Sequence, residues 1–340
     1  MYYFKYFRND TYFEKSIRYN ELFFASNSTL NDPMDLWFNP VLWDDIEKWK
    51  KLLEHLNYFG IYFSDYITKP QDDSFYIDIN KLFCNQNLMQ IVEDKSQIQR
   101  DVAKIIENHN LASGQDIDSV ASFLIGKFCR LKDEINFLSV SFSKDPFNYL
   151  MWSHYANGFK GCVLIYDFEH GKTELKKHIY GGDVLKVEMQ DVTYLDRVSQ
   201  VDLWSLIFNN VFTDSSCFIS KNKHWEYEKE SRLVIFSQTR SAGEILHHEV
   251  SLVKGVIFGS RCDVNFKERT IKALHENRSF GEQNDFLSFD SALNNNNEIQ
   301  IVSGNTHNIK TGRVNKMTRE VVAEWNNKFD YTKNIIDNLT

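Results

Sequence analysis

The chain has 340 residues, of which 42% are hydrophobic and 25% charged, and a net charge of −8. That length fills one large domain or two small ones. The acidic balance argues against a general phosphate-backbone binder, whose affinity comes from Lys and Arg. No apolar run approaches the ~20 residues of a membrane helix, and MYYFKYFRND lacks the basic-then-apolar layout of a signal peptide.

The composition adds two expectations. Twenty-seven Phe, 16 Tyr and 7 Trp predict a core built largely from rings. The five cysteines (Cys84, Cys129, Cys162, Cys217 and Cys262) are odd in number and include no CxxC pair. Cys162 and Cys217 lie in apolar runs and read as small buried hydrophobes. A reducing, cytoplasmic compartment without membrane attachment is expected.

In chain order, YYFKYF, TYFEKSIRYN and ELFFAS read as strand, helix and strand, and Asn31-Asp32-Pro33 reads as a turn. From Asp44 the pattern becomes helical. Asp44 or Asp45 caps a helix carrying Trp49, Leu52 and Leu53. A second helix carries Ile98, Val102 and Ile106, and a third Val120, Leu124 and Phe128. NFLSVSFS then alternates as a strand, and Asp145-Pro146 predicts the start of a helix PFNYLMWSHYAN that stops at Gly158. GCVLIYDF reads as a strand buried on both faces, and HIYGGDVLKVE as a hairpin bent at Gly181-Gly182. A helix over 200–219, with Val201, Trp204 and Val211, precedes the strand SRLVIFS. VKGVIFGS and EIQIVS are further strands, separated by the helix FKERTIKALHE, and MTREVVAEWNNKF is a terminal helix. The expectation is an α+β fold with mixed or antiparallel central sheets. Residues 1–43 and 133–304 form its core, 44–132 a helical insertion and 305–340 a helical tail.

Three blocks concentrate residues suited to chemistry. In residues 22–35 a strand delivers Asn31 and Asp32, which either meet a ligand or complete a structural turn. In residues 139–155, Ser139, Ser141 and Ser143 share one face of a strand. On the next helix Trp152 and Tyr155 lie three apart, as do Met151 and His154. Rings beside hydroxyls and an imidazole suit a flat ligand. The plain alternative makes Trp152 and Tyr155 core rings and His154 a half-buried donor. In residues 225–236 an extended chain would put Glu226, Glu228, Glu230 and Arg232 on one side. Neighbouring carboxylates raise each other's proton affinity and a cation offsets this, a pattern fit for acid/base work or transition-state stabilisation. The plain alternative is an exposed strand end with an ion pair of small value.

Together these blocks resemble an uncharacterised bacterial family, domain of unknown function 2971. The resemblance rests on Lys5-Tyr6-Phe7, FAS…LNDPMD, SFS…LMWSHYANGFKGCVL, the W-x-Y-E-x-E-x-R run (Trp225, Tyr227, Glu228, Glu230, Arg232) and a late VIFG. It covers residues 2–35 and 137–260.

A second resemblance is to mono-ADP-ribosyltransferases, which carry a basic residue on the first strand, then Ser-x-Ser, then Glu-x-Glu. The counterparts here are Lys5 or Arg8, Ser139-Val140-Ser141 and Glu228-Lys229-Glu230; the middle threonine usual in the serine motif is replaced by Val140. This resemblance implies a split central sheet and NAD as the cofactor. Glu230 would act on the nicotinamide ribose, Glu228 on the acceptor, and Ser141 would support Glu230. Lys5 or Arg8 would grip phosphate, and Tyr155 would stack on nicotinamide. His154 is a further candidate for catalysis, and Asn31, Asp32, Ser139, Trp152 and Arg232 for cofactor binding. The acceptor would be a macromolecule, protein or nucleic acid, and the role that of a toxin or antiphage effector. Two other readings stand beside it: a non-catalytic module binding a small ligand or partner, and a metal-dependent nuclease built on Asp32, Glu228, Glu230 and His154.

Overall fold

YYFKYF builds strand β1 (Tyr2–Phe7), with Tyr3 buried on one face and Phe4 and Tyr6 on the other. Asp10 then opens helix α1 (Thr11–Tyr19) by accepting the Phe13 amide, and the left-handed Asn20 ends it. Strand β2 is Glu21–Ser26. A computed structural model of the chain describes residues 1–32, 35–36, 39–58, 61–112, 115–134, 136–179, 181–197, 200–209, 219–237, 242–279 and 284–331.

The remaining strands of the main sheet are β3 (Phe137–Ser143), β4 (Cys162–Asp167), β5 (Lys172–His178), β6 (Gly181–Glu188) and β7 (Gln190–Asp191). They are followed by β8 (Glu230–Phe236), β9 (Gly243–His247), β10 (Val253–Phe258), β11 (Phe286–Leu293), β12 (Ile299–His307) and β13 (Val314–Lys316). The other helices are α2 (Ile46–His55), α3 (Ser74–Phe83), α4 (Leu88–Glu93), α5 (Lys95–Asn108), α6 (Gln115–Glu134), α7 (Tyr149–Tyr155), α8 (Leu203–Asn209), α9 (Val264–Ser279) and α10 (Arg319–Phe329).

The fold is α+β. The 13-stranded sheet runs β13-β12-β11-β10-β4-β1-β3-β2-β9-β5-β6, with β8 against β3 and β7 against β8. Neighbours are antiparallel except β10 and β11. Both faces are covered. On one, Phe13 of α1 and Phe266 of α9 pack with Phe24, Val140 and Phe142. On the other, Trp152 of α7 and Phe329 of α10 pack with Phe4 and Ile165. Helices α2 to α6 enclose a third apolar core around Trp49, Phe83 and Phe128, joined by Leu203 and Trp204 of α8. Asp45 supplies the cap of α2 by accepting the Lys48 amide.

The central join is narrow. β3 pairs with β8 at all seven positions. On its other edge it meets β2 only at Leu138 and Ser139 and β1 only at Ser143. β1 and β2 thus form a fork along one strand. Gly161 fixes the approach of α7's exit to β1, because a Cβ there would lie 2.0 Å from the Phe7 carbonyl oxygen.

Several elements differ from the sequence reading. α7 begins at Tyr149, after an Asn148 cap that accepts the Met151 amide; Asp145 instead closes a turn by accepting the Phe147 amide at 2.8 Å. Residues Lys223–Glu228 form a 3₁₀ turn and Lys229 has φ 45°, so the strand starts at Glu230 and Glu226 is not on it. Strands β9, β11 and β13 and helices α3 and α4 carried no clear periodic signal. The helix expected over 200–219 is Leu203–Asn209; Val211 and Cys217 lie outside the described residues, as does Pro33.

Candidate functional site

β3 organises the site. Leu138, Val140 and Phe142 enter the core with Leu233 and Ile235 of β8. The alternation turns Ser139, Ser141 and Ser143 to the opposite face, beside Glu230 and Arg232, which stand in register with Ser143 and Ser141. Ser143 donates to the Glu228 carbonyl at 2.7 Å, which anchors the 3₁₀ turn to the strand. The turn therefore delivers Glu228 beside Glu230, although the two are not on one strand.

An ion-pair network fills this end. Asp35, Glu228 and Glu230 are 3–4% exposed and Arg232 is fully buried. Lys221 Nζ lies 2.7 Å from Glu228 Oε2, 3.2 Å from Glu230 Oε2 and 3.2 Å from Asp35 Oδ2. Arg232 donates from Nε to Glu230 Oε1 at 2.9 Å and from Nη1 to Asp35 Oδ1 at 2.7 Å. Tyr155 donates to Glu228 Oε1 at 2.6 Å, and the Glu230 amide donates to Tyr194 Oη at 2.7 Å. Three carboxylates thus share two cations, and buried charges require that pairing.

The two glutamates are driven apart. Burial raises the proton affinity of Glu230, but Arg232, Lys221 and the Ser141 hydroxyl more than reverse it and hold the carboxyl at about 2. For Glu228, burial outweighs Lys221, and the charge of Glu230 adds to it, so its pKa is raised. The environments push the two proton affinities apart, Glu230 down and Glu228 up, the division expected of an acid/base pair. Burial, reinforced by Glu228, raises the Tyr155 phenol and keeps it a donor.

A cavity of about 710 Å³ opens onto the network, within the range of ligand sites. Lys5, Asn31, Asp32, Ser139, Ser141 and Tyr155 line it together with Lys221, Trp225, Glu228 and Glu230. Lys5 donates to the Ser141 carbonyl at 3.0 Å, in the gap of the fork. Burial lowers its pKa to about 8, against a partial rise from Glu230. The Ser139 hydroxyl is buried with no partner among the described residues, although buried polar groups are normally bonded. An orphaned donor and a lysine with N–H groups to spare fit a polar, anionic ligand.

Other sequence-predicted residues lie elsewhere. Trp152 does not share the cavity with Tyr155. It is fully buried, stacks on Phe159 and donates to the Pro146 carbonyl at 2.8 Å, which makes it a core ring. Arg232 lies behind the acids rather than on the cavity wall. His154 is exposed, with its ring edge towards Tyr155 and Tyr227. Arg8, also exposed, donates to the His154 carbonyl at 3.3 Å. Both stand outside the cavity. Asn31 donates to Tyr155 Oη at 3.5 Å. Sequence reasoning missed Asp35, Lys221 and Tyr194. The signal available was charge balance: a Glu-x-Glu-x-Arg run entering a core strand requires further partners.

Among the described residues, no group of three or more His, Cys, Asp or Glu side chains is arranged to hold a metal ion; the Lys221 ammonium sits between the carboxylates. No helix among them is long and apolar enough to cross a membrane.

The chain is thus an α+β protein with a buried acid pair at a fork in its sheet. Residues 151–233 match the model of a protein family of unknown function, DUF2971. That stretch contains Tyr155, Lys221, Glu228, Glu230 and Arg232 but neither Lys5 nor Ser141. No curated protein and no solved structure matches the chain.

Proposed function

We propose that the protein is an ADP-ribosyltransferase-like enzyme that transfers the ADP-ribose of NAD to a macromolecular acceptor. The observation that carries this reading is the meeting of Lys5, Ser141 and Glu230, from the adjoining strands β1, β3 and β8, on one cavity. When the ribose–nicotinamide bond breaks, its electron pair leaves with the nicotinamide nitrogen and positive charge develops on the ribose. A buried, ionised Glu230 stabilises that charge more strongly than a carboxylate in water. Glu228 is the better base of the pair and takes the proton from the acceptor nucleophile as it bonds the ribose carbon. Ser141 orients Glu230, Tyr155 orients Glu228, and Lys5 meets phosphate. A role as toxin or antiphage effector goes with the resemblance to bacterial proteins.

Release of nicotinamide from NAD by the purified protein, beside a Glu230→Gln control, tests this reading. Turnover in the wild type that falls by about 100-fold or more in the variant supports it. NAD binding without turnover, identical in both, would instead favour a non-catalytic recognition module.

A further inference from the structure

The cavity draws its wall from both faces of the sheet. Ser141, Tyr155 and Glu230 belong to the acid face, whereas Phe142 and Ser16 of α1 belong to the other. The connection is the fork. On β3, residues 140–142 stand in register with neither β1 nor β2, and Lys5 reaches into that gap.

The α1 end has its own character. Tyr12 of α1, 79% exposed, lines it as an unburied ring; Phe23 and its β9 partner Ile245 stand on the acid face, because the alternate residues Leu22 and Phe24 pack with Phe13 of α1. Lys15 of α1, exposed, adds a second ammonium to that of Lys5. A ring plus two ammonium groups suits a base with phosphates attached. At the acid end, with Trp225 and Asn31, the Lys221 ammonium is already paired with three carboxylates.

We infer that the cavity is a passage through the sheet, which takes the nucleotide end of a dinucleotide from the α1 side and the acceptor from the acid side. This deepens the NAD reading and rests on it for the identity of the ligand. Two substrates entering from opposite faces do not compete for one mouth. The nucleotide half crosses the gap past Lys5, and the reacting ribose faces Glu230.

Ser16→Trp, which narrows the α1 mouth, provides the test. Lys5 acylation by acetic anhydride, followed residue by residue by mass spectrometry, reads the opening without any nucleotide. ADP-ribose and nicotinamide are titrated separately by calorimetry. Expected are acylation of Lys5 at least threefold slower and ADP-ribose affinity at least tenfold weaker, with nicotinamide binding unchanged. Lys15→Glu, at an exposed position that cannot disturb the core, weakens ADP-ribose alone. Lys5 acylation at the wild-type rate in a folded Ser16→Trp protein overturns the passage, as does equal loss of nicotinamide and ADP-ribose. If the wild type binds neither compound, the NAD reading fails, while the acylation rates still decide whether the α1 side is open.

Discussion

Arg232 Nη1 donates to Asp35 Oδ1 at 2.7 Å across a sequence separation of 197 residues. This contact ties the loop after β2 to strand β8 and closes the acidic end of the cavity. Asp35 also accepts the Leu36 amide at 2.8 Å, and its carbonyl receives the Asn27 side chain. The loop is held by charge and hydrogen bonds at a place where apolar packing would leave no site.

Removing one partner of that pair leaves the other buried with one counter-charge fewer. Asp35→Asn and Arg232→Met should each cost about 3–5 kcal/mol in urea unfolding. The double variant should cost less than the sum of the two, since it removes both members of the pair. Strict additivity would show that the pair is not coupled.

The acid pair has a pH signature. The pKa of Glu230 is lowered on folding from 4.5 to about 2, so the stability it contributes is complete above pH 4.5 and is lost as pH falls towards 2. That contribution is on the order of 3 kcal/mol. Glu230→Gln should therefore lie well below the wild type in unfolding free energy at pH 7 and approach it only near pH 2. Glu228, whose pKa is raised on folding, gains no such stability from its charge. Glu228→Gln should cost less than Glu230→Gln at pH 7. The reverse order in parallel denaturant titrations contradicts the assignment.

Lys5 bonds phosphate only when charged. Its pKa of about 8 predicts that NAD affinity weakens as pH rises through 8. Lys5→Met should bind weakly at every pH and lose that dependence. Dissociation constants measured from pH 7 to 9.5 decide the point.

Tyr155→Phe removes the 2.6 Å bond to Glu228 and leaves that carboxylate more proton-loving. Turnover should drop about tenfold and its pH optimum should move up, with a stability cost of about 1–2 kcal/mol. Trp152→Ala offers the contrast. It opens a cavity in the core and should cost about 3–5 kcal/mol, while the more conservative Trp152→Phe leaves NAD affinity intact.

Much of the architecture was legible in the sequence, for identifiable reasons. α1 and β2 have clear periodicity, β1 and β4 are apolar runs buried on both faces, and the serine face of β3 follows from alternation alone. The third block misled because strand alternation was extended back through Glu226; the left-handed Lys229 breaks it, a backbone choice that neighbouring residues do not announce. Trp152 and Tyr155 are neighbours on a helix, yet one enters the core and the other the cavity, a partition set by the elements packed around α7. Charge balance called for partners of the Glu-x-Glu-x-Arg run, but which residues supply them, Lys221 and Asp35, is wholly tertiary. Each matters only through partners brought from elsewhere in the chain.

The most direct test of the account is the affinity of NAD for the wild type, Lys5→Met, Ser141→Ala and Glu230→Gln, read by calorimetry at pH 7. The account predicts saturable binding to the wild type and at least tenfold weaker binding to Lys5→Met. Ser141→Ala and Glu230→Gln should stay near wild-type affinity but release nicotinamide far more slowly. A wild type that binds no NAD, or four proteins with the same affinity and the same turnover, would contradict it.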